Sequence, residues 1–596
     1  MAPDQSELKH LKNLYKTSPV EAVQTYCSDL LLETQLSQEK ILAVDEFCLQ
    51  ILYQDPKAAA YLAQQRLERY PDFSVEWPLC CLAACYAQLG NRSEVIKYCE
   101  RGLKLDLPRR AKVNLLCILR KYRSVGAHLR EVFEEFDLLV DGVDTLGKVH
   151  ELAVIHGDLV QAEKFVALIR KCYEAGRIEM PREGPRNNLF WCGHEPTNIQ
   201  VTRAGIVRHH GDFTTMPPAG FRRKPRKSKE KITIGYLSAD FRDHPTSHLM
   251  LGAWRHHDRS RFKVVFFDVG WNDNSAVRLE LESFCDEIVP LGSLSDEQAA
   301  QVIQDAAVDV LIELNGPTHS NRLGILKYRP APTSIGYLGW PGSYGGDVVD
   351  YVIGDDYLWP PESTHHVPEK IIRLPGTYQI NDHKHYPAFR ESLGQRAQKR
   401  LVGDKTLFRF GSVNNINKLT LSTWDVWMHI LRECPHSELH ILSPGNAAEQ
   451  NLESAAQGYG VNPERLRWLP RVSHQEHLDR IGRLDLILDT WPYGGHTTTA
   501  DALAAGVPVL TLEGKNFTGR VSGSLLTAAG LGKSLIAKSE KEYAQIACAL
   551  YASHDVLKKI YDFMARNLPN SSLFDSVKRT RDLEAVLERL VKNETR

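Results

Sequence analysis

The segment LDLILDTWPYGGHTTTADALAAGVPVLTL, Leu484–Leu512, decides the fold of this chain. Apolar residues dominate its two ends, as they do in buried strands, and Gly506 stands where a helix C-terminal cap is expected. A strand, a short helix and a second strand in this order form one unit of a parallel sheet. The segment therefore predicts an α/β domain.

The turn inside this segment places threonines at the start of the helix. Gly494 and Gly495 permit a tight backbone approach, and Thr497 and Thr498 follow them. Backbone N–H groups and hydroxyls at a helix N-terminus bind anionic oxygens, and phosphate is the usual ligand. The turn indicates a phosphate site; the alternative is an ordinary βαβ turn without a ligand.

Length and composition indicate a globular protein of about three or four domains. A net charge of -1 gives no general attraction to nucleic acid. Because neither a signal-like leader nor an apolar run of membrane length is visible, we expect a cytoplasmic protein without a membrane span. We expect the 12 cysteines to be mainly reduced core thiols rather than zinc ligands.

The first 180 residues are predicted to form a helical region. Two turns, at Gly90 and Gly157, are separated by nearly two periods of the roughly 34-residue tetratricopeptide repeat. The unit between them, near Gly126, matches the repeat poorly. We predict a short, degenerate tetratricopeptide-like solenoid over 1–180, with a plain helical bundle as the alternative.

Strands and helices alternate after a polar linker, predicted over 181–230. The basic run within 222–229 is a solvated linker in this interpretation, with a targeting or nucleic-acid patch as the alternative. The alternation predicts two doubly wound domains, over 231–385 and 386–596, the second with terminal helices. Ligands of such domains lie at the carboxyl ends of the strands.

Two histidines follow the first predicted strand. Pro245 suits the first turn of a helix, so His244 is expected at the helix entrance, with His248 facing the same cleft. An imidazole with a pKa near neutrality can take a proton from a hydroxyl. The spacing leaves open a catalytic or substrate-contacting pair, a zinc pair without a third ligand nearby, or a structural role.

Two further strand ends carry groups that suit a phosphate. Asn415 and Lys418 follow the strand FRFGSV, and a helix after LRWLP carries His474, His477 and Arg480 at three-residue spacing. The chain has no Asp-x-Asp motif and no G-x-x-x-x-G-K-[ST] loop. A sugar-nucleotide enzyme of this sequence would therefore use protein cations and a helix dipole instead of a bound metal.

These segments together resemble the O-linked N-acetylglucosamine transferase family, glycosyltransferase family 41, which includes the SPINDLY-type enzymes. The matching pieces, in family order from Ile232 to about Leu550, are IGYLSADFRDHPTSHLM, VDVLIELNGPTHSNRL, RPAPTSIGYLGWPGSYGGDVVDYVIGD, EKIIRLPGTY, FGSVNNINKLT and LDTWPYGGHTTTADALAAGVPVLTLEGKNFTGRVSGSLLTAAGLG. The family has two Rossmann-like domains in the GT-B arrangement, and the same fold is expected here.

The resemblance also implies site residues. Those matching family positions are Asn415 and Lys418 at the diphosphate, His477 and Arg480 at the nucleotide, His496, Thr497, Thr498 and Asp501 at phosphate and ribose, Gly339 and Pro341 at the sugar, and His244 and His248, one of them a base. His474 stands where animal members carry lysine, and Asp309 where they carry histidine. The short repeat region resembles compact bacterial members.

The resemblance implies metal-independent, inverting transfer of N-acetylglucosamine from its UDP donor to Ser or Thr of proteins. Acceptor proteins would bind along the helical region, and a homodimer is an open alternative to a monomer. Glucose or fucose as the sugar, and asparagine as the acceptor, stay open. A helical scaffold with an inactive transferase domain is the alternative from another class.

Overall fold

The computed structural model describes residues 37–52, 55–122, 125–134, 136, 138–175, 192–213, 231–383, 389 and 407–594. The chain divides into two compact units, Met1–His156 and Gly157–Arg596. Among the described helices there is none that combines the length and the apolarity needed to cross a membrane. The basic run within 222–229 and the predicted boundary at 385/386 lie outside the described residues.

The first unit is helical in its described part, which confirms the predicted fold class of this region. Its helices are α1 Gln38–Ile51, α2 Pro56–Arg69, α3 Glu76–Gln88, α4 Arg92–Leu103, α5 Arg109–Leu119, α6 Gly126–Glu134 and α7 Leu138–Ile155. Gly90 turns the chain between α3 and α4 with a φ of 70°, and the Asn91 side chain caps α4. The predicted helix–turn–helix around Gly90 is therefore present. Cys81, Cys85 and Cys99 are buried as free thiols.

A buried ion pair shapes the turn between α2 and α3. Arg66 is fully buried, and its guanidinium donates to Asp45 Oδ2 at 3.1 Å. The same group donates to the carbonyls of Tyr70 at 2.9 Å and Phe73 at 2.6 Å. One side chain thus satisfies a buried carboxylate and the backbone that leaves α2, so the helix pair depends on it.

We expect Arg66→Met to destabilise the helical unit by about 3–5 kcal/mol, because it leaves Asp45 buried without its cation. Arg69→Met, at an exposed position of the same helix, is the control and should change stability by less than about 0.5 kcal/mol. Urea unfolding followed by far-ultraviolet circular dichroism measures both. Equal unfolding curves for the two variants would contradict this role of Arg66.

The second unit begins with helices α8 Leu159–Glu174 and α9 Glu195–His210 and continues with two α/β domains. The first domain contains β1 Ile232–Ser238, α10 Pro245–His256, β2 Phe262–Asp268, α11 Ala276–Glu282, β3 Glu287–Pro290, α12 Asp296–Asp305, β4 Val310–Glu313, β5 Thr333–Gly336, β6 Tyr351–Gly354 and β7 Lys370–Arg373. The second contains β8 Phe408–Ser412, α13 Leu421–Glu433, β9 Ser437–Leu442, α14 Asn446–Gly458, β10 Leu466–Leu469, α15 His474–Ile481, β11 Leu486–Leu488, α16 Thr497–Ala504, β12 Val509–Leu512, α17 Phe517–Ala528, α18 Gly532–Leu535, β13 Ile536–Ala537, α19 Glu540–Ala552 and α20 His554–Asn567, and α21 Ser576–Glu594 ends the described chain.

Both sheets are parallel and doubly wound, as the sequence predicts. Their strand orders are β3-β2-β1-β4-β5-β6-β7 and β10-β9-β8-β11-β12-β13. The chain reverses its direction of winding between β1 and β4 in one sheet and between β8 and β11 in the other. Crevices form at such switch points, at the carboxyl ends of the strands. The sheet order thus brings the segments after β8 and β11 to one crevice.

The structure differs from the predicted domain ranges at two helices. Helix α9 lies inside the predicted linker 181–230, where Pro196 occupies the first turn and Glu195 accepts a hydrogen bond from Phe517 N at 2.7 Å. Helix α21, assigned by sequence to the second α/β domain, packs on α10 of the first, where Glu584 accepts from Asp258 N at 2.7 Å. Tertiary contacts far along the chain hold both helices, so local patterns predicted neither α9 nor the domain on which the terminal helix α21 packs.

Candidate functional site

The carboxylate of Asp489, directly after β11, holds the glycine turn together. Its Oδ1 accepts hydrogen bonds from Gly495 N at 2.6 Å, Thr490 N at 2.9 Å and Asn414 Nδ2 at 2.9 Å. Its Oδ2 accepts from Thr511 Oγ1 at 2.8 Å. Asp489 is 1% exposed, and a buried carboxylate needs several donors of this kind. Sequence reasoning assigned it no role.

The turn fits closely against the threonines of α16. A Cβ on Gly495 would lie 2.4 Å from Thr499 Oγ1 and 2.8 Å from Thr498 Oγ1. Thr498 Oγ1 donates to Asn414 Oδ1 at 2.7 Å, which ties the helix start to the segment after β8. Helix α16 begins at Thr497, and its N-cap residue, His496, makes no side-chain capping hydrogen bond. Thr499 N and Ala500 N donate to His496 O at 3.2 and 3.3 Å, so the N–H groups that face a ligand or solvent are those of Thr497 and Thr498.

Lys418 reaches this turn from the segment after β8. Its Nζ donates to Gly494 O at 2.7 Å and lies 4.0 Å from the centroid of the Tyr493 ring. Burial lowers the pKa of Lys418 to about 8, although Asp489 acts in the opposite direction. Burial, and secondly Lys418, lower the pKa of His496 well below its ordinary value. One ammonium group therefore dominates the local charge.

Asn415 and the helix α15 depart from the predicted arrangement. Asn415 is exposed, and its side chain accepts from Asn417 N at 3.0 Å. The sequence suggested three basic groups on one face of α15, but His477 Nδ1 accepts a hydrogen bond from Arg480 Nε at 3.1 Å. Burial lowers the pKa of His477 to about 4. His477 is thus a neutral acceptor that orients the guanidinium of Arg480.

One carboxylate oxygen of Asp501 in α16 contacts two imidazoles. His383 Nε2 lies 2.9 Å and His474 Nε2 lies 3.4 Å from Asp501 Oδ1. Burial alone would raise the pKa of Asp501, but these hydrogen bonds lower it below the ordinary value. Burial opposes protonation of His474, yet the hydrogen bond to Asp501 leaves its pKa raised. The Asp501 carboxylate thus favours the protonated form of His474.

The paired histidines of α10 lie at the opposing domain. His244 is the N-cap residue of α10, as predicted, and its Nδ1 lies 3.3 Å from Thr246 N and 3.5 Å from Asp240 Oδ2. His248 Nε2 lies 2.8 Å from Asp243 Oδ1. Burial lowers the pKa of both imidazoles. Both are therefore neutral near pH 7, the form that can accept a proton.

His248 also connects the two α/β domains. Its ring centroid lies 4.8 Å from that of His474, and the two planes are tilted by 37°. His474 contributes to the lowered pKa of His248, after burial and the opposing hydrogen bond from Asp243. The acid–base groups of one domain thus lie beside the Asp501 cluster of the other.

The loop after β5 faces the glycine turn from the first domain. A Cβ on Gly339 would lie 1.8 Å from Leu314 O, so the position requires glycine. Pro341 lines a cavity of about 10 Å³ together with Glu195 and Thr518, which is room for about one water molecule. Thr518 O is also the partner of His496 Nε2 at 3.3 Å. Gly339 and Pro341 thus lie near the end of the predicted donor site.

One residue of the family comparison lies elsewhere. Asp309 Oδ2 accepts from Thr233 N at 2.9 Å, and both residues are at the amino ends of their strands. Asp309 therefore lies at the end of the sheet opposite to the carboxyl ends of the strands. Within the described residues no group of three His, Cys, Asp or Glu side chains could hold a metal ion.

We expect binding of an anionic donor to weaken as the pH rises above 6.5, because the raised pKa of His474 favours the cation below that pKa and the charge is lost above it. His474→Lys should keep the affinity constant to higher pH, and His474→Gln should lower it and flatten the profile. Calorimetric titrations with UDP at several pH values measure this. An unchanged profile in His474→Gln would contradict the assignment.

We expect Gly495→Ala to weaken nucleotide binding by about tenfold or more, since its methyl group would displace Thr498 and Thr499. Gly458→Ala in α14 is the control, because a Cβ there meets nothing within 4 Å. The same titration measures both variants. If Gly495→Ala binds UDP as tightly as the control, the turn is not the phosphate site.

Comparison with known proteins gives a consistent result. The model of the family described as Glycosyl transferase family 41 matches residues 194–393 and 390–583. The chain is similar to the protein named probable UDP-N-acetylglucosamine--peptide N-acetylglucosaminyltransferase SEC of Arabidopsis thaliana, with 32% identity over 370 residues, 62% of this chain and 38% of that one. It is also similar to the protein named probable UDP-N-acetylglucosamine--peptide N-acetylglucosaminyltransferase SPINDLY of Oryza sativa subsp. japonica, with 31% identity over 374 residues, 61% of this chain and 39% of that one.

The chain thus spans about two fifths of the length of these curated relatives. Among solved structures, a mutant of the Thermobaculum terrenum O-GlcNAc transferase aligns with a TM-score of 0.65 and 22% identity. The alignment covers 94% of this chain and 99% of that one. At this identity the likeness concerns the fold: a helical region followed by two parallel α/β domains.

Proposed function

Because the chain belongs to glycosyl transferase family 41, we propose that it transfers N-acetylglucosamine from UDP-N-acetylglucosamine to Ser or Thr hydroxyls of proteins, with inversion and without a metal ion. The observation that carries the proposal is the meeting of Lys418 with the glycine turn at the switch point of the second sheet. The activity named for the plant relatives supports the donor and a peptide acceptor.

In this proposal Lys418 and the start of α16 receive the diphosphate. Lys418 Nζ now donates to Gly494 O, a neutral partner, and its lowered pKa reflects burial. A diphosphate in the crevice would raise the pKa of Lys418 again, because it stabilises the ammonium form, and would take over this hydrogen bond. As the bond between the sugar C1 and the phosphate oxygen breaks, negative charge grows on UDP, and the ammonium and the N–H groups of Thr497 and Thr498 would stabilise it.

The acceptor hydroxyl approaches from the first domain in this proposal. Its oxygen attacks C1 from the face opposite UDP, and its proton passes to His244 or His248, directly or through water. The buried Asp240 carboxylate supports His244, because it lies 3.5 Å from His244 Nδ1 and is held by Asn315 Nδ2 at 2.7 Å. A carboxylate beside the ring stabilises the imidazolium that forms when the imidazole gains a proton.

The remaining predicted residues surround the donor. Arg480 and His477 would face the nucleotide, Asp501 with His474 the ribose and phosphate, and Gly339 and Pro341 the sugar. The helical unit would select acceptor proteins along its surface, as helical repeats do. Cytoplasmic location and a homodimer stay predictions.

We expect Lys418→Ala to lower turnover by at least about 100-fold, because it removes the cation that offsets charge on the leaving group. Lys541→Ala, at an exposed position of α19, is the control. Transfer of radiolabelled N-acetylglucosamine to cell-extract proteins measures turnover, and circular dichroism checks the fold. A folded Lys418→Ala protein with the control's rate would refute the role of Lys418.

Calorimetry with UDP and GDP in the presence of a chelator tests the donor class. We expect UDP to bind and GDP to bind at least about tenfold more weakly. Preference for GDP would instead identify a fucose-type donor. Binding that requires a divalent cation would contradict the metal-independent reaction, and no binding of either nucleotide would favour the scaffold with an inactive domain.

A further inference from the structure

His383 occupies a fixed position between the two α/β domains. It ends the described stretch that follows β7, and its ring packs edge-on against Phe574 with centroids 5.4 Å apart. The preceding residue, Asp382, accepts from Ser576 Oγ at 2.7 Å and pairs with Arg255 Nε at 3.0 Å. The backbone that carries the imidazole is therefore anchored on α21 and α10.

The imidazole of His383 makes the shorter of the two hydrogen bonds at Asp501. His383 and Asp501 are 7% and 4% exposed, so the carboxylate has little solvent to stabilise its charge. His474, which makes the longer bond, is more exposed, with 27% of its side-chain surface accessible. The buried imidazole of His383 thus contacts the Asp501 carboxylate, while the more exposed imidazole of His474 can also face a ligand.

We propose that His383 is a positioning residue of the nucleotide site: it holds the Asp501 carboxylate so that His474 can contact the donor as well as Asp501. This inference rests on the proposed function, because it concerns the same donor. His383 itself touches Asp501 and not the reacting atoms. It joins the end of the first domain to the nucleotide-binding helix of the second.

The charged groups around His474 determine how its pKa shifts when His383 is replaced. Asp501 faces it from α16, His248 and Asp243 from α10 and the preceding loop, and His477 from its own helix. Without the hydrogen bond from His383, the Asp501 charge would act on His474 more strongly. His474 would then keep its proton to higher pH and be drawn toward Asp501, away from the donor.

Two substitutions separate positioning from packing. His383→Gln keeps an N–H donor close to the place of Nε2, whereas His383→Leu fills similar space without a donor. Ser576→Ala removes a hydrogen bond to the neighbouring Asp382 and does not involve Asp501. The Ser576→Ala variant therefore shows how loosening of this segment alone changes UDP binding.

The experiment is calorimetric titration of the full chain with UDP between pH 5.5 and 9, with kcat and KM for UDP-N-acetylglucosamine. We expect His383→Leu to raise Kd and KM by about tenfold, to change kcat less, and to move the inflection of the pH profile upward. His383→Gln should restore most of the affinity, and Ser576→Ala should leave the inflection in place.

The outcomes separate this inference from the proposed function. If the unsubstituted protein does not bind UDP, the proposed function fails. If it binds, and His383→Leu shows the same affinity and inflection, the positioning role is refuted. If His383→Gln and His383→Leu lose the same UDP affinity, His383 acts through packing. The same conclusion follows if Ser576→Ala also moves the inflection of the pH profile. If His383→Leu does not fold, the shorter His383→Asn is compared with His383→Gln. A pH inflection that lies higher in His383→Asn supports the positioning role of His383, and identical pH profiles refute it.

Discussion

The hydrogen bonds of the buried Asp489 carboxylate are the constraint on which the site depends. Through one side chain they fix the glycine turn, the amide of Asn414 and the strand β12 that carries Thr511. Asn414 in turn holds Thr498 at the start of α16. Because Asp489 sits between β8 and β12 in the sheet order, its contacts bring two strand ends to one crevice. Lys418 can then reach the turn, so backbone geometry brings one cation and the start of α16 to the same crevice.

The two α/β domains contribute different chemical groups to the site. One supplies neutral imidazoles and a buried carboxylate, and the other supplies an ammonium group and a helix N-terminus. Their meeting point is the cluster of His248, His474 and Asp501, where burial lowers the pKa of one imidazole and a carboxylate raises that of the other. Helices α9 and α21 strengthen the junction, since each comes from one part of the chain and packs on another. Closing this junction around a donor would also exclude water from the reacting groups.

The sequence predicts much of this arrangement, and its failures have physical reasons. The long apolar strands, the glycine turn and the N-cap position of His244 follow from local patterns, and the structure contains all three. Asp489 and His383 gain their roles from partners far along the chain, such as Asn414 and Asp501, and no spacing rule records such contacts. Which of the three potentially basic groups of α15 carries a charge also depends on tertiary packing, because burial lowers the pKa of His477.

The central claim is that the crevice between β8 and β11 binds the diphosphate of the donor. A crystal structure of the protein with UDP tests it most directly. The account predicts that phosphate oxygens lie within hydrogen-bond distance of Lys418 Nζ and of the N–H groups of Thr497 and Thr498, and that Lys418 has left Gly494 O. UDP bound at the first sheet, or UDP in this crevice with Lys418 still on Gly494 O and no contact to α16, would contradict the account.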